Sequence, residues 1–315
     1  MRLRKESSAM GALGQLMALM GLLLTSSAGH AQKDVDDRIE SALTQDPIIS
    51  EEHPATVVEL QIPSSGTLMP AHIYLAEGPG PHPTVVFLHG IPGNERNLDI
   101  AQNLRRFGFN TLFFHYRGAW GAGGSYRITQ LPDDALAVLD FLRGEEKQQE
   151  LRVDTDALSL LGHSLGGYTA LAAGSRDLHT SCVVALAPAN VALWKDQVSA
   201  GGPQIDRLSA YADSLFMLHG LSGERLKEEL AFADREQLDT TAFGEGLSGK
   251  SVLLMVGEDD QATPPESMFD PVVVAYSKAE GIDLISIKVP GDHSFSRGRV
   301  GLSRAVMRWM DSRCR

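Results

Sequence analysis

The 315-residue sequence holds only two cysteines, Cys182 and Cys314. A disulfide-stapled scaffold needs more, so the fold must rest on a buried apolar core. Cys182 lies in the apolar run Cys182-Val183-Val184-Ala185-Leu186-Ala187, which reads as a buried strand. Its expected state is therefore a free, buried thiol, and pairing with Cys314 would require the last helix to end beside that strand. Concentrated positive charge is missing too. With 28 Lys and Arg against 40 Asp and Glu, the net charge is −12. No basic surface is available to displace counterions from phosphates, which excludes nucleic acid as a partner. The longest apolar stretch, Ala9 to Leu24, is interrupted by Gln15 and falls short of the roughly 20 residues of a spanning helix. No His-Glu-x-x-His or comparable ligand cluster occurs, so neither a metal nor another cofactor is expected. Gly118 to Gly124 is glycine-rich but lacks Gly-x-Gly-x-x-Gly and the Lys-Ser/Thr ending of a phosphate loop, which argues against nucleotide binding. Its glycines read as a flexible rim beside a site.

What is present at the amino terminus is an address. Arg2, Arg4 and Lys5 precede the apolar stretch, and Ser26-Ser27-Ala28-Gly29-His30-Ala31 follows it. These are the n-, h- and c-regions of a signal peptide cleaved after Ala31. The expectation is export, periplasmic or secreted, with no stable membrane insertion once residues 1–31 are removed. No cysteine follows the cleavage point, so lipid attachment there is not expected. Residues 32–55 are polar and acidic, with Val35, Ile39 and Leu43 at helical spacing. Either a short docked helix or a loose leader fits that pattern.

From Thr56 onward the pattern is that of one catalytic domain, 56–315, a length at which an α/β architecture forms a single core. Val57 to Ile62 and Leu68 to Leu75 read as an antiparallel entry, and Thr84 to Leu88 as a buried strand. Strands then alternate with helices: Asn97 to Phe107 helical, Thr111 to Tyr116 extended, Pro132 to Arg143 helical, Leu158 to Leu161 extended, and a helix from Leu165 to about Gly174. Further on, Val183 to Ala187, Val252 to Val256 and Leu284 to Val289 are strands, with helices near Glu266 to Glu280 and Val300 to Ser312. Alternation of this kind implies βαβ crossovers and a mostly parallel sheet covered on both faces. Residues 188–249 interrupt it. Amphipathic stretches at Ile205 to Leu218 and Ser222 to Phe232, with Trp194, Tyr211, Phe216, Met217 and Phe232, suggest a helical cap over the carboxyl ends of the strands, where open α/β sheets bind ligands.

Gly162-His163-Ser164-Leu165-Gly166 matches Gly-x-Ser-x-Gly between a strand and a helix. A nucleophile elbow requires that context. Ser164 is the candidate nucleophile, and an inert hydroxyl of this kind needs a base. Of the ten histidines, His293 follows the last strand in Pro290-Gly291-Asp292-His293, a loop placed to reach back over the strand ends. His163 is adjacent to the serine, where neighbouring side chains diverge; His89, His115 and His219 read as structural. The acid must come from another strand end. Glu258-Asp259-Asp260 follows a strand, and Asp260 is the choice, with Asp259 as the alternative and Asp292 poorly placed beside the base. For the oxyanion, the Leu165 amide follows the nucleophile, and the second donor falls in His89-Gly90-Ile91-Pro92-Gly93-Asn94, where Ile91 is the candidate because Pro92 has no N–H.

These landmarks, in the order His89-Gly90, Ser164, the Gly257 to Pro264 acid loop and His293, resemble the α/β-hydrolase superfamily from about Thr56 onward. Within it, His89-Gly90-Ile91-Pro92-Gly93-Asn94-Glu95 and Tyr116-Arg117-Gly118 resemble the branch containing prolyl-oligopeptidase-like (S9) catalytic domains and exported esterases. The resemblance implies an α/β-hydrolase fold and a serine carboxylesterase working through an acyl-enzyme, with a small-molecule ester or a short peptide as substrate partner. The segment before Thr56 is too short for the propeller of true prolyl oligopeptidases, which favours the ester. A peptidase of that type and a catalytically inactive binding scaffold are the alternatives. Oligomeric state has no signature in the sequence.

Overall fold

The computed structural model describes residues 33–47 and 49–315, so the expected signal peptide lies outside the described residues. Eight strands form one sheet, in the order β1-β2-β4-β3-β5-β6-β7-β8. They are β1 (Thr56–Ser64), β2 (Thr67–Leu75), β3 (His82–Leu88), β4 (Asn110–Phe114), β5 (Val153–His163), β6 (Cys182–Leu186), β7 (Ser251–Gly257) and β8 (Asp283–Val289). The first two form the antiparallel entry and β2 pairs antiparallel with β4, whereas the pairings β4-β3-β5-β6-β7-β8 are all parallel. Every residue of β4 and β6 is buried, while β8, at the sheet edge, alternates partly buried and exposed positions. Two-sided burial is what converts alternation into a continuous apolar run.

Helices cover both faces: α1 (residues 33–44), α2 (Leu98–Arg106), α3 (Leu131–Arg143), α4 (Glu145–Glu150), α5 (Leu165–Arg176), α6 (Val191–Ala200), α7 (Pro203–Asp213), α8 (Gly223–Phe232), α9 (Arg235–Leu238), α10 (Asp270–Tyr276) and α11 (Arg299–Arg313). The leader's periodicity resolves into α1, which buries Ile39 and Ala42 in the core and pairs Glu40 with Arg304 of α11. No helix among the described residues is long and apolar enough to cross a membrane.

Several expectations change. Cys182 is not a free thiol: it forms a disulfide with Cys314, with Cα atoms 5.9 Å apart. The terminal helix α11 does end beside β6, and a bond closing a loop of 132 residues removes denatured-state entropy worth up to about 5 kcal/mol. The helix expected over Glu266 to Glu280 is a wide turn, Pro265–Phe269, followed by α10. Pro271 sits at the start of α10, where its ring and missing N–H prevent an α-helix from running through. β5 is longer than its apolar run, and β4 stops at Phe114. In the interrupting segment α6 and α9 appear beside the two amphipathic helices, but Phe216 and Phe232 are 91% exposed and build no apolar face. The glycine-rich rim is not loose either. His219 N–H donates to the Gly118 carbonyl at 2.7 Å, Trp120 N–H to Met217 and Tyr126 N–H to His219, both at 2.8 Å, stitching this turn to the segment between α7 and α8.

Candidate active site

The register of the parallel strands places the candidate residues. Leu88 pairs with Gly162, Gly162 with Ala185, and Gly257 with Val289, so the loops after β3, β5, β7 and β8 leave the same edge of the sheet. Ser164 is the turn between β5 and α5, at φ 59° and ψ −121°, a conformation that costs a side-chain-bearing residue on the order of 1–3 kcal/mol. Its neighbours must be glycine for reasons of space. A Cβ on Gly162 would lie 1.8 Å from the Gly166 carbonyl oxygen, and one on Gly166 would lie 1.9 Å from that of Leu88. The backbone of Ser164 is anchored on both sides: its N–H donates to Leu186 at 2.9 Å, and its carbonyl accepts from Gly167 and from Ala189, at 2.9 and 3.1 Å. The first N–H groups of α5, Leu165 among them, have no carbonyl four residues back to bond.

The loop after β3 lies against the serine. A Cβ at Gly90 would approach Ser164 Cβ to 3.0 Å and Oγ to 3.5 Å, so Gly90 is the close-approach point and Ile91 follows it directly. This loop is held by the His89 ring, whose Nδ1 donates to the Gly90 carbonyl at 2.8 Å, and by Trp120 Nε1, which donates to the Pro92 carbonyl at 2.7 Å.

His293 and Asp260 meet, with Nδ1 2.7 Å from Oδ2. Asp260 is 1% exposed and every lone-pair direction is engaged. Oδ1 accepts from the N–H groups of Ala262 and Thr263 at 2.8 and 2.9 Å, and Oδ2 accepts from Thr263 Oγ1 at 2.7 Å as well as from the imidazole. Burial by itself would raise this carboxyl, but the bonds from His293 and Thr263 outweigh it and hold its pKa below the ordinary value. Asp259 is exposed, and Asp292 is exposed and caps the Ser296 N–H at 2.8 Å; neither meets the His293 ring. The His293 side chain is 24% exposed, which leaves the imidazole open to the outside on one side. With Nδ1 on the carboxylate, Nε2 is the free nitrogen.

Sequence reasoning missed Thr263, the third ligand of the carboxylate. An Asp followed three residues later by Thr is a recognisable turn-capping pattern, so the signal was present. It also set His163 aside, yet the His163 ring reaches the backbone of the base's loop, with Nε2 2.7 Å from the His293 carbonyl. Among the described residues no group of three or more His, Cys, Asp or Glu is arranged to hold a metal ion. A cleft of about 630 Å³ lined by Leu193, Trp194, Gln261, Ala262, Pro264 and Met268 adjoins the acid loop. A larger cavity of about 860 Å³ lies between α3, α5 and residues 233–246, and none of the candidate residues lines either space.

The buried histidines give the protein an acid-sensitive stability. His89 and His163 are 2% and 4% exposed, and burial, the largest cause in both, lowers each pKa to about 4. In the unfolded chain each titrates near about 6.5. As pH falls from 6.5 towards 4 the unfolded chain takes up protons that the folded one refuses, so stability is full above pH 6.5 and drains through that window. The loss is roughly 2 kcal/mol per histidine by pH 5. Urea unfolding at pH 7, 6 and 5 should show the midpoint falling steadily; equal midpoints at pH 7 and 5 would refute neutral burial of these rings.

Comparison with known proteins agrees with this architecture. The alpha/beta hydrolase family model matches residues 85–295. Among solved structures, Est1E from Butyrivibrio proteoclasticus, also solved with ferulic acid bound, is similar at a TM-score of 0.60 and 19% identity, over 81% of this chain and 98% of that one. Puromycin hydrolase is similar at a TM-score of 0.60 and 22% identity, over 85% of this chain and 40% of that one. At these identities the likeness is one of fold. The 2,6-dihydropseudooxynicotine hydrolase of Paenarthrobacter nicotinovorans is 32% identical over 145 residues, 44% of this chain and 36% of that protein. The matches span little more than a third of the length of the curated relatives, 36% and 38%.

Proposed function

The chain belongs to the alpha/beta hydrolase family, and from that premise we propose that it is a serine hydrolase that cleaves a carboxylic ester through an acyl-enzyme. The observation that carries the proposal is the 2.7 Å contact between His293 Nδ1 and a fully hydrogen-bonded, buried Asp260 at the same sheet edge as a serine in a strained strand-to-helix turn. An imidazole in that setting keeps its proton on Nδ1 and leaves Nε2 as a base. Ser164 Oγ attacks the ester carbonyl carbon while Nε2 of His293 takes its proton. The amides of Leu165 and Ile91 donate to the oxyanion of the tetrahedral intermediate. His293 then returns the proton to the departing alcohol, leaving the acyl group on Ser164. Water, deprotonated by the same nitrogen, attacks the acyl-enzyme, and His293 gives that proton to Ser164 Oγ as the acyl bond breaks, which releases the acid and restores the free serine.

The test is a series of p-nitrophenyl esters of increasing chain length beside aminoacyl anilides, with a fluorophosphonate probe reporting on Ser164. Ester turnover with stoichiometric labelling supports the reading. Turnover of anilides alone would favour a peptidase, and absence of both labelling and turnover would favour a binding scaffold.

Export belongs to the same reading. The basic, apolar and small-residue order of residues 1–31 supports it, and so does the Cys182–Cys314 disulfide, since such bonds persist in oxidising compartments. Sequencing the amino terminus of the secreted or periplasmic protein should find Gln32 first; full-length protein retained in the cytoplasm would overturn it.

A further inference from the structure

His293 is held at two points. Its ring meets Asp260, and its backbone carbonyl accepts a hydrogen bond from the ring of His163 at 2.7 Å. A carbonyl has no proton to give, so Nε2 of His163 carries the hydrogen. The two imidazoles lie against each other with centroids 4.7 Å apart, and Phe295 closes another side at 6.4 Å. With its pKa lowered to about 4 by burial and then by the neighbouring His293, His163 is neutral wherever a histidine base can work. The next carbonyl of the same loop, that of Ser294, accepts from Arg299 Nη1 at 3.0 Å. Arg299 in turn donates to Asn97 Oδ1 at 3.0 Å and to Asp99 at 2.9 Å.

We propose that His163 is a positioning residue that hangs the backbone of the base's loop on the nucleophile turn, so that this side chain sets the placement of the His293 imidazole relative to Ser164. The proposal rests on the reading of Ser164 and His293 given above. His163 is the last residue of β5 and is paired with Leu186 in the sheet interior, so its backbone cannot drift. Divergence from the Ser164 side chain, which disqualifies it as a base, is what points it beneath the loop. Residues 290–298 link an edge strand to α11; backbone bonding to the neighbouring β7 loop ends at Gly291, whose carbonyl accepts from the Asp259 N–H at 2.9 Å, and the Phe295 N–H closes a turn on the Asp292 carbonyl at 3.0 Å. Between these backbone bonds, the two consecutive carbonyls of His293 and Ser294 are held by side chains, one by His163 and one by Arg299.

Displacement of a catalytic group by about 1 Å can cost on the order of a hundredfold in rate. The variants H163L, H163Q, H163N and R299M are to be measured for kcat, KM and fluorophosphonate labelling, with H163L also placed in an H293A background. H163L is expected to lower kcat and labelling by about 10² with KM little changed, and H163Q, whose amide can donate across the same gap, to restore most of the rate. R299M should show a smaller loss. With H293A there is no imidazole left to place, so H163L should add almost nothing to that defect. A folded H163L with wild-type kcat, or a full multiplicative loss in the H293A background, would overturn the proposal. Should H163L not fold, H163N decides: its shorter amide falls short of the carbonyl, and a rate equal to that of H163Q would overturn it. If H293A itself left turnover intact, the triad reading would fall. If H293A abolished turnover and H163L did not slow it, the positioning role alone would fall.

Discussion

Ser164→Ala is expected to lower ester turnover by about 10⁶, the scale of loss when the nucleophile of a Ser-His unit is removed, and to abolish fluorophosphonate labelling. The fold should survive. The hydrogen bonds that fix residue 164 run through its N–H and carbonyl, to Leu186, Gly167 and Ala189, and alanine retains both. The Cβ at φ 59° is already accommodated by the glycines at 162 and 166, so alanine introduces no new strain. Steady-state hydrolysis and a thermal melt on the same sample check both halves. A variant that melts like the wild type and keeps even one hundredth of its rate would mean that another group attacks.

Asp260→Asn is expected to lower kcat by roughly 10⁴. Asparagine at 260 keeps the size of the side chain but turns its amide or its carbonyl towards His293 Nδ1. If the amide faces the ring, the imidazole must accept there and carry its proton on Nε2, the nitrogen that should be the base. In either case the charge that stabilises the imidazolium is gone. The N–H groups of Ala262 and Thr263 and the Thr263 hydroxyl also lose an anionic acceptor, so some loss of stability accompanies the loss of rate. Asp259, exposed and without contact to the ring, serves as the internal control. Asp259→Asn should stay within a few-fold of wild type, and a collapse of activity in that variant, with Asp260→Asn active, would reassign the acid.

The elbow was readable because its demands are local. A strand, a serine in a turn too tight for neighbouring side chains and a helix leave a signature within Gly162 to Gly166, and the 1.8 and 1.9 Å clashes at Gly162 and Gly166 are the spatial form of the same statement. The parallel core was readable for a similar reason. β6, buried on both faces, shows as an unbroken apolar run, β4 ends in the apolar Leu112-Phe113-Phe114, and the antiparallel β1 and β2 show alternation. The segment from Pro188 to Gly249 was legible only in part. Its amphipathic helices announce themselves, but which of Trp194, Tyr211, Phe216 and Phe232 is covered depends on how α6, α7 and α8 pack on one another and on the turn at 118–126, and two of the four are almost fully exposed.

By itself, then, the sequence determined which residue types stand at the ends of which strands: a serine after β5, three acids after β7, a histidine after β8, a Gly-Ile turn after β3. Tertiary structure decided among them. It brought Asp260 rather than Asp259 to Nδ1 of His293, it joined Cys182 to Cys314 across 132 residues, and it set the His163 ring against the His293 carbonyl. The reason is one of range. A periodicity or a turn motif reports the energetics of a few neighbouring residues, whereas contacts between residues 33, 130 or 132 apart are fixed by strand register and by the paths of loops, to which no local pattern is sensitive.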